Sequence, residues 1–348
     1  MTAEPITLAP DMTPTLLREP GRLESLLGPE SYRLLRGLFR NPLSITGMII
    51  LLAFFSVAAF APVLAPPVRA NANPYLIPRD GFSPEPKPPG TLWTRNPPKV
   101  VPRWYTAISG NEEWHHIMGT TSGQFDIWYG IVWGTRTAIF VGVVVVAASL
   151  VIGLLMGSIS AFYGGAVDDV LMRITEIFMA FPFLLAALML TSLLVPLFGR
   201  GIWPAMIALI VFGWMGYSRV LRSEVLTVKQ RDYVLAARTI GAKDSRVLLR
   251  HVLPNAIFST LVLASLDVGA VVLSFAALSF LGVGTDIGYA DWGQLISFAR
   301  DYILSLDDFW FIVVFPGAAL ILFGLAWNLI GDALRDILDP RMKGARGT

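Results

Sequence analysis

The sequence predicts an all-α membrane protein with six transmembrane helices. Three observations carry that prediction. Hydrophobic residues make up 54% of the chain and charged ones only 15%, with a mean hydropathy of +0.61; a soluble domain carries about 25% charged residues. Apolar runs of about 20 residues, the length a helix needs to cross a bilayer, recur along the chain. Arg and Lys gather beside those runs and in alternate connections, which sets both termini in the cytoplasm. The net charge is only +2, and the position of the basic residues fits membrane orientation rather than nucleic-acid binding. Cysteine is absent, so neither disulfides nor thiolate chemistry is available.

The elements follow in order. Residues 1–43 form a cytoplasmic N-terminal segment ending in Arg33, Arg36 and Arg40. The first span, 44–66, contains the small-residue run Ala58-Ala59-Phe60-Ala61. The charged lead is too long for an ordinary signal peptide, so the span is expected to be an uncleaved anchor. Residues 67–135 form an extracytoplasmic loop. Its Pro-rich part, 67–107, is expected to be extended rather than packed. In 114–135 the aromatics Trp114, Phe125, Trp128, Tyr129 and Trp133 predict a short helix at the membrane interface.

The helical core is expected over 136–336. Span two, 137–162, carries Gly142, Gly153 and Gly157, a ridge that admits another helix closely. Asp168, Asp169 and Arg173 fall in a cytoplasmic connection to span three, 174–197. Span four, 202–222, ends at Arg219 and Arg222. Span five is 255–281. Residues 285–308 lie outside, with Trp292 as a candidate contact for a partner or for the interface. Span six is 309–331, and 337–348 is a cytoplasmic tail.

Between spans four and five lies a charged inner loop, 223–254. Its heart is DYVLAARTIGAKDSRVLLRHVLPN, residues 232–255. Lys229, Arg231, Arg238, Lys243, Arg246 and Arg250 keep it in water. Ala236, Ala237, Val247, Leu248, Leu249 and Val252 fall at helical spacing. Gly241 is a helix C-terminal signal, and Pro254 is expected to stop the second half. The spacing predicts two short helices broken at Gly241.

This stretch resembles the conserved cytoplasmic EAA loop of ABC-importer permeases. Ala236, Ala237, Gly241, Leu253 and Pro254 match it, and Leu235 stands where the name-giving Glu would be. Lys243 occupies a position where a capping Ser is frequent, so Asp244 is the expected cap. Further blocks resemble the C-type permease of the dipeptide/oligopeptide/nickel group: NPLSITGMIILL at 41–52, FYGGAVDDVLMRITEIFMAFP at 162–182, LSFLGVG at 278–284 and WNLIGDALRDILDP at 327–340. The resemblance implies the type I ABC importer (MetI-like) permease fold, with a cytoplasmic coupling helix around Lys243–Val252 seated in a groove of an ATP-hydrolysing subunit. It also implies a heterodimer with a B-type permease, two ATPase subunits, a separate extracytoplasmic solute-binding protein and a bacterial inner membrane. The coupling residues would be Ala236, Ala237, Gly241, Lys243, Asp244, Arg246, Val247, Arg250, His251 and Pro254. Ala237 and Gly241 would serve close packing and the turn. Arg246, Arg250 and His251 would make polar contacts to the partner, and Pro254 would set the exit angle.

The chain contains no GxxxxGK[ST] phosphate loop, no HExxH and no GxSxG. ATP and Mg are therefore expected on partner subunits, with no cofactor and no catalytic residue here. Glu112, Glu113, His115 and His116 raise a metal site, but adjacent His residues do not share a helical face and no second cluster follows. Asp267 lies mid-way along span five, where a charge costs about 2.5–3.5 kcal/mol on insertion scales. It lines a passage or pairs within the bundle; both readings stand. Phe275 replaces a Glu frequent in the group, which loosens substrate inference. Di- or oligopeptides lead, with nickel or oligosaccharides as alternatives. A stand-alone secondary transporter or channel would need inverted repeats or several intramembrane charges, and a membrane enzyme would need clustered His or acidic residues.

Overall fold

The structure is a computed structural model that describes residues 37–39, 41–68, 72–95, 97–98 and 101–338. The expected lead with Arg33, Arg36 and Arg40 and the tail beyond 338 lie outside the described residues. The first span is α1, Pro42–Leu64, capped by Asn41, whose side chain accepts from Leu43 N–H. A two-stranded ribbon, β1 (Thr91–Leu92) with β2 (His115–His116), and the short α2 (Arg103–Ser109) follow outside the bundle. The 37-residue α3, Ile127–Tyr163, runs through the centre. Next come α4 (Gly165–Met179), α5 (Phe183–Phe198), α6 (Ile202–Gly213) and α7 (Met215–Val228). The inner loop holds α8 (Asp232–Thr239), α9 (Asp244–Val247), a π-helical turn (Leu248–Val252) and α10 (Leu253–Ala256). Then follow α11 (Phe258–Phe280), the short α12 (Trp292–Ser297), a 3-10 turn (Arg300–Ser305), α13 (Leu306–Phe309) and α14 (Phe311–Leu338).

Five of the described crossings are long and apolar enough to span a membrane. The pair α4 and α5 makes a sixth, bent by 86° at its break. The bend lies at Ala180–Pro182, because Pro182 cannot continue a helix from Phe181. Asp168, Asp169 and Arg173 are therefore helical residues of α4, not members of a loop. The glycine ridge of α3 does what its spacing predicts, but within the chain. A Cβ at Gly142 would lie 2.9 Å from Val268 and Val272 of α11, and one at Gly153 would lie 2.5 Å from Tyr217 of α7. At Gly157 a Cβ would strike the Ser218 carbonyl. Small residues let these backbones meet.

The outer region differs most from expectation. The described part of the Pro-rich loop is packed, and no separate interfacial helix occupies 114–135. Instead α3 begins at Ile127, so the helical core starts there and not at 136. Trp114, Phe125, Tyr129 and Trp133 are all at most 5% exposed. Trp93, Tyr105 and Trp114 form a small core of their own. Beside it His116, fully buried, lies 2.7 Å (Nδ1) from Asp126 Oδ2 and 3.3 Å (Nε2) from Asp80 Oδ2. Asp80 also accepts from Lys87 and from the backbone N–H of Thr94 and Arg95. Asp126 caps α3 by accepting from Tyr129 N–H at 2.7 Å. Burial repays an aromatic ring only when its polar edge is satisfied, and Trp133 Nε1 does bond the Ala65 carbonyl at 2.8 Å.

The second outer segment folds back onto the first. Ile77 N–H donates to the Gly288 carbonyl and Ala290 N–H to the Tyr75 carbonyl, both at 2.7 Å. Trp292 is 1% exposed, wedged against Phe54 of α1 and Phe323 of α14. It therefore presents no ring to a partner or to the lipid interface.

Candidate functional site

The charged loop between α7 and α11 is seated on the C-terminal ends of α3 and α7. Val234, Ala237, Val247, Leu248, Val252 and Ala256 from the loop pack against Ala161 and Phe162 of α3 and Leu221, Val225 and Val228 of α7. Each Val or Leu fully buried here contributes about 1.5–3 kcal/mol. Polar bonds add to the seat. Lys229 Nζ donates to the Ala161 carbonyl at 2.6 Å, and the Arg238 guanidinium lies 4.9 Å from the centre of the Phe162 ring.

The break between the two helices is built as the sequence predicts. Gly241 has φ +83°. Gly241 N–H donates to the Arg238 carbonyl at 2.9 Å and Ala242 N–H to the Ala237 carbonyl at 3.1 Å. These two bonds close the end of α8 in the left-handed manner that favours glycine. Two details depart from expectation. Asp244 does not cap the second helix: Lys243 occupies the cap position, no side-chain bond is made, and Asp244 is the first helical residue. Its carboxylate still suits the positive end of a helix. Nor does Pro254 stop the helix. The chain widens into the π turn, where Leu253 N–H reaches the Leu248 carbonyl five residues back. That turn makes room for the Pro254 ring, which in a regular helix clashes with the carbonyl four residues earlier.

The sequence-predicted residues divide by exposure. Ala237 and Val247 are buried in the seat, and His251 is half-buried. Ala236, Gly241, Lys243, Asp244, Arg246, Arg250 and Pro254 are exposed. Beside them four large apolar side chains also face outward: Tyr233, Leu235, Leu249 and, most of all, Ile240 at 85%. Helical spacing marked Leu249 as inward-facing, but the π turn rotates it out. Ile240 carried no signal, because it follows the last full turn of α8. The outer face of the loop is thus a basic surface studded with apolar side chains.

Asp267 lies on α11 with its carboxyl against the Tyr217 hydroxyl of α7. It is half-buried and Tyr217 is 1% exposed, so the carboxyl faces the bundle. Phe275, one face further along α11, is buried against α3 and α6.

Residues 149–344 match the family model described as binding-protein-dependent transport system inner membrane component. Residues 32–79 match the N-terminal TM domain of oligopeptide transport permease C. The chain is 32% identical over 304 residues to the dipeptide transport system permease protein DppC of Alkalihalophilus pseudofirmus, covering 87% of this chain and 88% of that one. It is 33% identical over 303 residues to the oligopeptide transport system permease protein OppC of Bacillus subtilis, covering 87% of each. Among solved structures, a chain of the inward-facing MetNI methionine ABC transporter superposes with a TM-score of 0.50 at 18% identity, covering 61% of this chain and 97% of that one. The shared architecture is the helical permease core of type I ABC importers.

Proposed function

This chain belongs to the family of binding-protein-dependent transport system inner membrane components, and from that membership we propose that it is the C-type permease of a bacterial importer for di- or oligopeptides. In this reading it has no catalytic activity of its own. It forms half of a translocation pathway with a B-type permease, receives solute from an extracytoplasmic binding protein and is driven by two ATPase subunits that hold ATP and Mg. Both termini lie in the cytoplasm.

One observation carries the reading: the inner loop buries one face in the bundle and leaves the other, with Ile240, Leu249, Arg246 and Arg250, uncovered. An exposed apolar patch ringed by charge marks an interaction site. Arg246 and Arg250 meet acidic groups of the ATPase, and the apolar side chains enter its groove. A body so firmly seated passes a push on α9 to α3 and α7 as rigid motion. Asp267 lines the pathway once the second permease is in place. Peptide as substrate is supported by the likeness to the dipeptide and oligopeptide transport permeases.

The test is reconstitution of the full complex in liposomes. Ile240→Asp combined with Leu249→Asp should leave insertion intact and lower ATP-driven peptide uptake more than tenfold. Uptake at the wild-type rate in that variant, or uptake without ATPase subunits, would overturn the coupling. Calorimetric titration of the cognate binding protein with peptides, nickel and oligosaccharides decides the solute.

A further inference from the structure

Helix α4 is the least anchored helix of the bundle. Of its 15 residues only Thr175 is buried. Val167, Val170, Ile174 and Ile177 are all exposed. The helix enters through Gly164 at φ +69° and leaves into the 86° bend toward α5. Polar groups hold it near its start. The Arg222 guanidinium of α7 donates to both oxygens of Asp168, Nε to Oδ1 at 2.7 Å and Nη2 to Oδ2 at 2.5 Å. The Ser160 hydroxyl of α3 donates to the same carboxylate. Among the described residues no other ion pair joins two helices of the bundle. At the far end of α4, Arg219, one turn from Arg222, reaches the Met179 sulfur at 3.6 Å. Between these two contacts lies a cavity of about 710 Å³ lined by Asp169, Arg173, Glu176 and Ser223. Between its two ends α4 is thus separated from α7 by open space.

Arg222 is also placed to feel the inner loop. It follows Leu221 and precedes Val225, both fully buried in the cluster that seats α8 to α10. A two-pronged guanidinium–carboxylate bond fixes direction as well as distance. We propose that the Asp168–Arg222 pair is the joint that carries movement of the inner loop into the bent α4–α5 segment, with both as positioning residues for transport. This rests on the coupling role proposed above for the loop. Movement of the seated body would drag the start of α4, and the bend at Ala180–Pro182 would turn that into a change of angle within the membrane.

The experiment uses the complete complex in liposomes, with ATP hydrolysis and peptide uptake measured together. In Asp168→Asn, hydrolysis stimulated by the binding protein should stay within twofold of wild type while uptake per ATP falls at least tenfold. Arg222→Lys keeps the charge but loses the second prong, and should lower uptake per ATP about threefold. Because the chain has no cysteine, Val170→Cys and Thr227→Cys can carry spin labels on α4 and α7 without background from this chain. Loss of the nucleotide-dependent change in their separation in Arg222→Lys supports the joint. A wild-type ratio of uptake to hydrolysis in Asp168→Asn overturns it. If Asp168→Asn does not assemble, a wild-type ratio in Arg222→Lys does so instead. Should the unmodified chain show no ATP-dependent uptake, the coupling reading itself falls, which is a separate result.

Discussion

Gly241→Val is the sharpest perturbation of the inner loop. At φ +83° the backbone of residue 241 lies in the left-handed region, and a Cβ placed there would meet no atom within 4 Å. The Cβ itself therefore meets no neighbour, and the expected effect is local backbone strain. For an L-residue that strain is about 1–2 kcal/mol, and a β-branched side chain lies at the upper end. An energy of that size changes a population roughly 5- to 30-fold. The fraction of loops with α8 and α9 in working register should fall by that factor, while α1 to α7 and α11 to α14 insert as before. The assay is peptide uptake per ATP hydrolysed by the reconstituted complex. The expected order is Gly and Asn nearly equal, Ala lower and Val lowest, because Asn tolerates the left-handed region. A Val variant with wild-type coupling, or an Asn variant worse than Val, would refute the reasoning.

Three further outcomes are expected. Leu221 is fully buried beneath the loop, so Leu221→Ala should destabilise by about 2–5 kcal/mol, read as a lower thermal midpoint in detergent with earlier proteolysis of 229–257. Burial pushes the Asp80 carboxyl up, but the Lys87 ammonium, the Thr94 and Arg95 N–H groups and His116 outweigh it and hold the group at about 2. That is below its unfolded value of about 3.9, so its stabilisation is complete above about pH 4 and is lost as pH falls toward 2. Tryptophan emission from the outer region, where Trp93 stacks on His116 at 4.4 Å, should report an acid transition there that Asp80→Asn removes; an unchanged transition would acquit Asp80. Asp267→Asn should lower uptake about tenfold, or 1.4 kcal/mol, and wild-type uptake and assembly would make it a bystander.

Much of the inner half was legible in the sequence. Gly241, the charged residues 229–250 and the buried spacing of Val247 and Val252 each report a local rule that the bundle does not override. Leu249 misled because the π turn made for Pro254 shifts the helical phase, and no pattern in the sequence announces that turn. The ridge of Gly142, Gly153 and Gly157 promised close packing without naming its partner, which proved to be α7 and α11 of the same chain. The outer half was hidden for a different reason. Its order comes from pairs far apart along the chain, such as Asp80 with His116 and Tyr75 with Tyr289. A Pro-rich segment without periodicity looks extended until those partners are known. The link between Asp168 and Arg222 was invisible for the same reason, since the two residues lie 54 positions apart.

The bond between the two outer segments also sets a timetable for biogenesis. Residues 72–95 are made early in synthesis, yet Ile77 and Tyr75 find their backbone partners at Gly288 and Ala290. Until the ribosome has delivered α12, the early segment keeps the Ile77 N–H and the Tyr75 carbonyl without these partners. A chain arrested before residue 285 should thus be more open to proteases in this early segment, even with the five spans that precede that point inserted.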